Sequence, residues 1–490
     1  MKKFLFLLAT VVAVSFTASA QHQRFVKQDA TGTGASWDSP SGDLQAMIDE
    51  VNDIGEGGEI WVAAGTYYPT IPAGWAGQSD PRNRSFLMRK NVKVYGGFAG
   101  GETSIDARDL KANETILSGD LNKDGIRNVG DAYHVVVFAG DLGNSTLDGF
   151  TVTGAYAVSP AAEHTVIGEY EIYHTTGAGI YLSVFGNASP VVFTLNNLVV
   201  KGNESTWDAG GILVDQNSTV ELTNSIVTGN VSGHWGGGIG VSGGPWGGGR
   251  TATLNAKNSL ISRNTAARGG AIYMNRHHVN VTLTNMTLAH NDATEDTGYS
   301  IYALDGSNPT TAIYNITIQN TVSEGDVIIG DGVVTLVINN SMPKGWDATE
   351  LATYGANNLE YTDPLFNDDY TLKTGSPLID AGNNAYATGI EKDLDGKTRI
   401  VNSTIDIGAY EYDGSGVGIN VNREEDTMRI WSAGNTLYVN VENATTLDVY
   451  SASGVLAFQK ALKEGEFSVE LPAGFYIVKT GNVAQKVLIK

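Results

Sequence analysis

Aromatic, acidic and basic side chains recur at matching positions before a series of glycine-rich turns. When the chain is registered on Ile212, Ile239, Ile272 and Ile301, the residues four positions earlier are Asp208, Trp235, Arg268 and Thr297. The residues five positions earlier are Trp207, His234, Ala267 and Asp296. Aromatic rings offer apolar stacking surfaces, and a guanidinium can hold a carboxylate or sulfate in paired hydrogen bonds. We therefore expect ligand-binding residues here, namely Trp207, Asp208, His234, Trp235, Arg268 and Asp296; buried core tryptophans are the alternative.

The same part of the chain holds the candidates for proton transfer. From Leu222 to Asn291, 70 residues contain no Asp or Glu, although five Lys or Arg and four His occur there. Abstraction of a proton next to a carboxylate needs a base, and the resulting enolate needs a cation. Lys257, Arg268 and His234 are the catalytic candidates. The alternative is that Gly- and Asn-rich turns leave little room for acidic residues.

Other catalytic patterns find less support in the sequence. The two carboxyl groups of a glycoside hydrolase lie within about 10 Å of each other. Asp208 and Asp296 are three repeats apart, which is roughly 14 Å at the spacing of neighbouring strands. Nucleophile-elbow and phosphate-loop motifs are also missing from the sequence. If the protein is an enzyme, elimination is therefore favoured over hydrolysis.

A 12-residue segment has the spacing of a calcium loop. It holds oxygen-bearing side chains at positions 1, 3, 5, 9 and 12, which are Asp120, Asn122, Asp124, Asn128 and Asp131. Gly125 stands at position 6, where such loops turn sharply, but Asp replaces the usual Glu at position 12. No helical pattern precedes the segment, so we expect an isolated Ca²⁺ loop rather than an EF-hand. A polar turn is the alternative.

An asparagine-anchored repeat positions the candidate residues. The copies NLVVKGN, NSIVTGN, NSLISRN and NMTLAHN begin at Asn197, Asn224, Asn258 and Asn285, and a weaker copy, NITIQN, begins at Asn315. The intervals between these Asn residues are 27, 34, 27 and 30. Short β-branched segments with period 2 lie between them, separated by Gly and Asn turns. Such a repeat predicts a parallel β-helix in which the recurring Asn side chains stack at one turn.

The two ends of the chain depart from this repeat. The segment from Asp43 to Ile54 places Leu44, Met47, Ile48 and Val51 on one face, which predicts a helix capped by Ser41 or Asp43. Such a helix would cover the open end of the β-helix. Residues 413–427 are predicted to be a linker, and residues 428–490 return to strand patterns that favour a small β-sandwich.

The composition fits an exported protein without disulfides. Lys2 and Lys3 precede an apolar run, and Ala18-Ser19-Ala20 gives a small-residue cleavage site, so residues 1–20 are predicted to be a signal peptide. No later stretch reaches about 18 apolar residues, so we expect no membrane span in the mature chain. The chain has no Cys and a net charge of -22. These features argue against thiolate chemistry and nucleic-acid binding.

Residues 24–412 resemble the bacterial right-handed parallel β-helix, or pectin-lyase-like, surface proteins. The resemblance depends on ASWDSPSGDLQAMIDEVNDIGEGGEIWVAAGTYYPT, VYGGFAGGET, NETILSGDLNKDG, LDGFTVTGA and the GGGI and GGAIY turns. The closing segments SPLIDAGN, DLDG and DIGAYEY are typical of the end of such helices. The resemblance implies the fold. It leaves the activity open, because the family holds lyases, hydrolases and adhesins.

Residues 428–490 resemble the C-terminal sorting domains of type IX secretion. The matching motifs are LDVYSASGVLAFQKAL and LPAGFYIVKTGNVAQKVLIK. This resemblance implies export by the type IX machinery and delivery to the outer-membrane surface or the extracellular space.

Together these observations predict an all-β protein: a right-handed parallel β-helix with an N-terminal helical cap, followed by a small C-terminal β-sandwich. The expected function is contact with polysaccharide or cell-surface glycan through an elongated loop face. A polysaccharide lyase acting on an acidic glycan and a structural surface adhesin are the two alternatives, because one scaffold can serve all three. The possible cofactor is Ca²⁺.

Overall fold

The computed structural model describes residues 22–72, 80–159, 163–184, 190–244, 250–276, 278–295, 299–303, 312–329 and 333–414. Beyond these it describes residues 429–433, 436–441, 445–451, 456–463, 465–472, 474–480 and 483–489. The chain divides into two compact units, residues 1–414 and residues 415–490. Each unit is described by itself.

The first unit is a right-handed parallel β-helix, as the sequence predicted. A 24-stranded sheet winds around it in three stacks of parallel strands. The first strand stack contains Phe86–Leu87, Val136–Ala139, Ile180–Ser183, Ile212–Val214, Ile239–Ser242, Ile272–Asn275 and Tyr299–Ala303. The second strand stack contains His22–Val26, Gly58–Ala63, Val92–Phe98, Thr146–Asp148, Val191–Asn196, Ser218–Thr223, Ala252–Ser262, Val279–Ala289, Ile313–Gln319 and Val333–Asn339.

The third strand stack and a small fourth sheet complete each turn of the β-helix. The third stack contains Gly65–Tyr67, Thr115–Ser118, Thr151–Thr153, Val199–Lys201, Ile226–Thr228, the C-terminal parts of Ala252–Ser262 and Val279–Ala289, the N-terminal part of Val322–Ile329, and Met342–Lys344. The C-terminal part of Val322–Ile329 continues the first stack by pairing with Tyr299–Ala303. The fourth sheet contains Tyr156–Ala157, Glu204–Ser205, Val231–Ser232, Thr265–Ala266 and Asp292–Ala293. A chain leaving the fourth sheet makes the glycine-rich turn and enters the first stack.

The predicted register of the coils is confirmed. Ile212 pairs with Ile239, Ile239 with Ile272, and Ile272 with Ile301. These side chains point inward with other aliphatic residues, and Ile212, Val220 and Val227 of one coil are each 0% exposed. One continuous apolar core therefore fills the β-helix, and its burial is the main source of stability.

Asparagine ladders connect successive coils at two turns. Asn197, Asn224, Asn258 and Asn285 all have left-handed backbone angles, with φ of 52°, 51°, 49° and 53°. Asn tolerates this conformation better than other non-glycine residues. The Nδ2 of Asn258 donates to the Oδ1 of Asn224 at 2.8 Å. A second ladder of Asn203, Asn230, Asn264 and Asn291 has Nδ2 to Oδ1 distances of 3.0, 3.0 and 2.9 Å.

The weaker copy of the repeat was placed wrongly at Asn315. That residue pairs with Asn280 inside the second strand stack. The first ladder continues instead at Asn320, which has φ of 45° and donates through Nδ2 to the Oδ1 of Asn285 at 2.9 Å. The misplacement arises because asparagines flank the strand at both ends, and only the final one occupies the turn.

The helical cap is present at the predicted place. The helix Leu44–Ile54 begins after Asp43, whose side chain accepts a hydrogen bond from the Ala46 N–H at 3.0 Å. Gly55 ends it with φ of 82°. The predicted apolar face, formed by Leu44, Met47, Ile48 and Val51, is buried in the core of the β-helix. The helix thus covers the core at the N-terminal end, where no further coil would shield it from water.

Several shorter elements lie between the strands of the coils or follow the last coil. An antiparallel hairpin of His164–Ile167 and Tyr170–Tyr173 precedes the first-stack strand Ile180–Ser183. Single-turn 3-10 helices occur at Pro81–Asn83, Ile105–Ala107 and Asn384–Ala387, and an α-helix occurs at Ala348–Tyr354. The rest of the segment to residue 414 is largely irregular and packs on the third strand stack through Leu378, Ile407 and Tyr410.

The second unit is a small antiparallel β-sandwich, as predicted. One sheet contains Arg429–Ala433, Thr436–Val441 and Gly465–Glu470, and the other contains Leu456–Leu462, Thr445–Ser451, Gly474–Thr480 and Val483–Ile489. Leu437, Val439, Leu447, Val449 and Val478 form a fully buried core. In the described part of the chain, no helix is long and apolar enough to span a bilayer.

Candidate functional site

The predicted ligand-binding residues meet in one turn of the β-helix. Trp235 forms a parallel β-bridge with Asp208 of the preceding coil and another with Arg268 of the following coil. Glycines immediately after them allow the coils to approach closely, because a Cβ on Gly211 would lie 2.4 Å from the carbonyl oxygen of Gly238. The glycine turns therefore fix the height of each functional side chain along the helix axis. Asp296, the remaining predicted member, lies outside the described residues.

Five aromatic rings from consecutive coils form an aromatic ladder: Trp207, His234, Trp235, Tyr273 and Tyr302. The rings of Trp207 and His234 stack with centroids 4.1 Å apart and an angle of 18°. Trp235 stacks on Tyr273 at 5.2 Å and 7°, and Tyr273 stacks on Tyr302 at 5.9 Å and 8°. The edge of Trp207 meets Trp235 at 6.2 Å and 60°. The two stacks therefore form one continuous aromatic surface.

Exposure differs along the aromatic ladder. Trp207 is 43% exposed, whereas His234 and Trp235 are half-buried and Tyr273 is buried. Trp235 is only half-exposed because Tyr273 of the next coil covers one face of its indole, and it is not part of the apolar core of the β-helix. Sequence reasoning missed Tyr273 and Tyr302. They could have been found from the sequence, because a Tyr directly follows the aligned Ile272 in GGAIY and the aligned Ile301 in GYSIY.

Arg268 has an acidic neighbour that the sequence did not reveal. Its Nε lies 3.5 Å from the Oε2 of Glu295, and its guanidinium lies 5.8 Å from the ring centre of Tyr302. The acid-free stretch leaves Arg268 without a carboxylate close to it in the sequence, but the fold brings one near. The next coil supplies Glu295, because stacking brings together residues about 27 positions apart in the sequence.

Asp208, which pairs with Trp235 of the next coil, is half-buried, and its Oδ1 atom is buried. In the part of the chain that the structure describes, its Oδ1 has no hydrogen-bond partner. Burial raises the pKa of Asp208 to about 7; nearby Arg276 opposes this shift and Asp215 adds to it. A carboxyl group that titrates near neutral pH can accept or donate a proton under physiological conditions. Asp208 is therefore the side chain in this turn best suited to proton transfer.

The outward-facing row of the first strand stack lies beside these residues. The outward positions of successive strands hold Tyr181, Leu213, Gly240, Tyr273 and Tyr302. Gly240 has no side chain, and Ala209 and Leu213 fill the space beside it, since an added Cβ would lie 3.1 Å from Ala209 Cβ and 3.3 Å from Leu213 Cδ1. The hairpin of residues 164–173 packs on Tyr181 and Leu213 through Ile167 and Ile172. The site is thus bordered by the hairpin and by the aromatic ladder.

Lys257 does not join the other catalytic candidates. It is exposed in the strand Ala252–Ser262, next to the ladder residue Asn258, at the turn that leads from the second to the third stack. Arg268 and His234 lie at the turn that leads into the first stack. Among the described residues no ion pair or hydrogen bond links Lys257 to either of them, so the structure does not assemble the predicted catalytic set.

The predicted calcium loop is folded around its own side chains. The Oδ2 of Asp120 accepts from Gly125 N at 2.8 Å, and the Oδ1 of Asp124 accepts from Ile126 N at 2.7 Å. Burial raises the pKa of Asp131 to about 6, and the charges of Asp120 and Asp124 add to the rise. Across the described ranges, no three His, Cys, Asp or Glu side chains are grouped so that they could hold a metal ion.

A separate cavity of about 580 Å³ lies between the β-helix and the segment 389–396. Apolar side chains such as Leu110, Phe150 and Ile226 line it together with Lys111 and Asp395. The Nζ of Lys111 and the Oδ1 of Asp395 form an ion pair of 2.6 Å there. None of the predicted ligand-binding, catalytic or metal-binding residues lines this cavity.

Comparisons with known proteins give the following findings. No family model and no curated protein matches the chain. The chain is similar to the Escherichia coli protein YbhC, with 11% identity over 76% of this chain and 84% of that chain and a TM-score of 0.29. It is also similar to a mutant tailspike protein of E. coli bacteriophage HK620 in complex with a hexasaccharide. There the identity is 12% over 90% and 89% of the two chains, and the TM-score is 0.15. Both TM-scores are too low for either likeness to inform the site.

Proposed function

We propose that this protein is a secreted β-helix protein that binds polysaccharide or cell-surface glycan through the aromatic ladder. The observation that carries the proposal is the large exposed fraction of Trp207, 43%, at one end of a stack that crosses several coils. An exposed indole held rigidly by its neighbours can stack on the apolar face of a sugar ring at low entropic cost. A series of such rings along the axis suits an extended chain.

Polar groups around the ladder supply hydrogen bonds to sugar hydroxyls. The Arg268–Glu295 pair presents both donors and acceptors, and both side chains are partly exposed. An acidic glycan must compete with Glu295 for the guanidinium of Arg268. We therefore expect only a modest preference for acidic over neutral glycans, in contrast to the strong preference that an isolated Arg268 would give.

A polysaccharide lyase acting on an acidic glycan is the second candidate, and Asp208 favours it. In such a reaction a base removes the proton next to the uronate carboxylate, and the bond to the leaving glycosidic oxygen then breaks to leave a double bond. Asp208 carries a pKa of about 7 through burial and has an unpartnered Oδ1 among the described residues. Its charged form could accept that proton. A structural adhesin is the third candidate, supported by the half-burial of Trp235.

The proposal that the protein is exported depends on its N-terminal and C-terminal segments. We propose that residues 1–20 direct secretion and that residues 428–490 act as a type IX sorting domain, which delivers residues 21–412 to the outer-membrane surface or the extracellular space. Residues 413–427 would then link the β-helix domain to the sorting domain. Expression of a chain lacking residues 428–490 tests this assignment. Surface delivery of that truncated chain would contradict it.

The glycan-binding proposal is tested with Trp207→Ala in the full mature protein. Binding to a panel of neutral and uronic-acid polysaccharides is measured by isothermal calorimetry and by retention on immobilised glycans. Trp207→Ala should weaken binding at least tenfold, because it removes the exposed stacking surface. Tyr354→Ala is the matched control, since Tyr354 is an aromatic residue of similar exposure, 39%, on the helix Ala348–Tyr354.

The outcomes separate the three candidate functions. Binding that is lost only in Trp207→Ala supports the glycan-binding proposal, and equal loss in both variants contradicts the assigned surface. Formation of an unsaturated, ultraviolet-absorbing product from a uronic-acid polysaccharide, abolished in Asp208→Asn, would establish the lyase instead. No binding to any glycan of the panel would favour the structural adhesin.

A further inference from the structure

The loop from Asp120 to Asp131 is a closed excursion from the third strand stack. Its two ends meet where Ala132 N donates to the carbonyl oxygen of Gly119 at 2.9 Å. Inside the loop, Asp120, Asn122 and Asp124 turn their side-chain oxygens towards the backbone N–H groups of residues 124–126. Each carboxylate oxygen retains a further lone pair after accepting one such bond. The side-chain oxygens of the loop can therefore accept contacts beyond the hydrogen bonds from its own backbone N–H groups.

Asp131, at the far end of the loop, has an unsatisfied buried oxygen. The residue is 0% exposed, and its Oδ2 accepts from the loop residue Asn128 at 2.7 Å. Its Oδ1 is buried and has no hydrogen-bond partner within the described residues. A buried carboxylate oxygen without a partner is strongly unfavourable, and such groups are usually paired or bind a metal ion.

The nearest cation does not relieve this oxygen. Arg82 donates through Nε to the backbone oxygen of Asp131 at 2.9 Å. Its Nη groups donate to the carbonyl oxygens of Tyr156 and Val158. Across the described ranges, Asp131 takes part in no ion pair with Lys, Arg or His. Among the described residues, no cation therefore contacts the Oδ1 atom of Asp131.

A donor group already lies between two of the candidate ligands. The Nδ2 of Asn128 donates to the Oδ2 of Asp124 at 3.1 Å and to the carbonyl oxygen of Ile126 at 2.8 Å. These oxygens belong to positions 5 and 7 of the calcium-loop pattern. The Asn128 amide thus contacts both oxygens from the position that a shared cation would take.

We propose that residues 120–131 bind one Ca²⁺, with the side chains of Asp120, Asn122, Asp124 and Asp131 and the carbonyl oxygen of Ile126 as ligands. The Asn128 side chain turns away on binding and reaches the ion through a water molecule, as position 9 often does. All ligands are oxygen atoms, and the set combines flexible carboxylates with a backbone carbonyl. This chemistry suits Ca²⁺ better than transition metals, which prefer nitrogen or sulfur.

The ion would fasten the loop to its neighbours in the first coils. The Nζ of Lys123 lies 4.4 Å above the ring centre of Tyr68, and the Nη2 of Arg127 lies 2.5 Å from the Oε2 of Glu204. Both contacts begin in the loop and end on other coils. Ordering of the loop by Ca²⁺ would hold these contacts in place, so the ion should stabilise the folded β-helix.

The test uses the full mature protein after treatment with a chelator, and CaCl₂ as the only added ligand. Calorimetric titration should give one site, with a Kd of about 10⁻⁴–10⁻³ M, the range of extracellular sites. At calcium about tenfold above Kd, Tm should rise by about 2 °C, as linkage predicts for a β-helix of about 390 residues. MgCl₂ at the same concentration should give a smaller shift.

Asp131→Asn makes the test specific. It removes the buried unpaired charge, so its Tm without calcium should equal or exceed that of the parent, while the calcium-dependent rise should disappear. Asp106→Asn, at an exposed carboxylate in the 3-10 helix Ile105–Ala107, is the control and should keep the full rise. No calcium heat and no Tm shift in the parent would overturn the proposal. Retention of the shift in Asp131→Asn would equally overturn the ligand assignment.

Discussion

Arg399 is buried inside the segment of residues 389–412, which packs along the side of the β-helix. Its side chain is 1% exposed, and its Nη1 donates to the Oε2 of Glu411 at 2.8 Å. Its Nη2 donates to the carbonyl oxygens of Gly408 and Asp406. The side chain belongs to the segment DLDGKTR, and its partners belong to DIGAYEY. We predict that Arg399→Met strongly destabilises this segment.

The magnitude follows from what the substitution leaves behind. Without the guanidinium, Glu411 remains a buried carboxylate held only by the N–H groups of Val401 and Asp406, at 3.0 and 3.2 Å. Removal of one partner from a buried ion pair lowers the free energy of unfolding by about 3–5 kcal/mol. The exposed pair of Lys397 and Asp413 in the same region should contribute only about 0–1 kcal/mol. Lys397→Met is therefore the matched control.

The loss should also depend on pH in a defined direction. Burial raises the pKa of Glu411 above its ordinary value, and Arg399 opposes the rise. In Arg399→Met the opposing charge is gone, so the folded state holds the Glu411 proton more tightly than the unfolded state does. Stability of the variant then falls as pH rises between the unfolded and folded pKa values. The deficit relative to the parent should be smaller at about pH 5 than at about pH 8.

Urea denaturation followed by tryptophan fluorescence, with limited proteolysis of the C-terminal segment, measures these effects. We expect Arg399→Met to unfold at clearly lower urea than both the parent and Lys397→Met, and to be cleaved faster after residue 360. A deficit no larger than that of Lys397→Met would refute the role assigned to the buried pair. A deficit independent of pH would show that lost packing, and not the uncompensated carboxylate, is responsible.

Two further substitutions test the coil contacts and the candidate site. Asn264→Ala removes hydrogen bonds from Nδ2 to Val227 O and Asn291 Oδ1, both at 2.9 Å, and leaves the buried backbone N–H of Asn230 without its acceptor, the Oδ1 of Asn264. The free energy of unfolding should fall by about 2–4 kcal/mol in urea titration, whereas Asn144→Ala at an exposed loop should change little. Because burial raises the pKa of Asp208 to about 7 from 3.8, parental stability should fall as pH rises between these values. Asp208→Asn should lack that part of the fall; identical pH slopes would contradict the buried-carboxyl assignment.

Much of the fold could be predicted because a β-helix repeats local patterns. Inward aliphatic residues, glycine turns and ladder asparagines recur within each coil, so Ile212 and Ile239 could be aligned from the sequence alone. The helix Leu44–Ile54 was equally local, since one apolar face and one cap define it. Asn315 was misplaced because an exposed strand position also favours Asn: its Nδ2 bonds Asn280 at 2.8 Å, much as the ladder residues bond one another.

The candidate site was harder to predict because its properties arise between coils. Spacing identified the row of Trp207, Asp208 and Trp235. Spacing could not show that Tyr273 covers Trp235, that Glu295 approaches Arg268, or that the Asp208 carboxyl is buried. Each of these depends on which side chain the neighbouring coil places at the same height, and insertions of different length between coils hide that relation in the sequence.

The rings of the aromatic ladder have two different roles. A ring stacked between coils uses its faces for intramolecular contact, and this describes Trp235 and Tyr273, at 5.2 and 5.9 Å from their ring neighbours. Trp207 is different, because it ends the ladder and is 43% exposed. Ligand contact should therefore concentrate at Trp207, next to Asp208. The inner rings serve chiefly to hold that indole rigid, so binding and any proton transfer would share one small region of an otherwise structural surface.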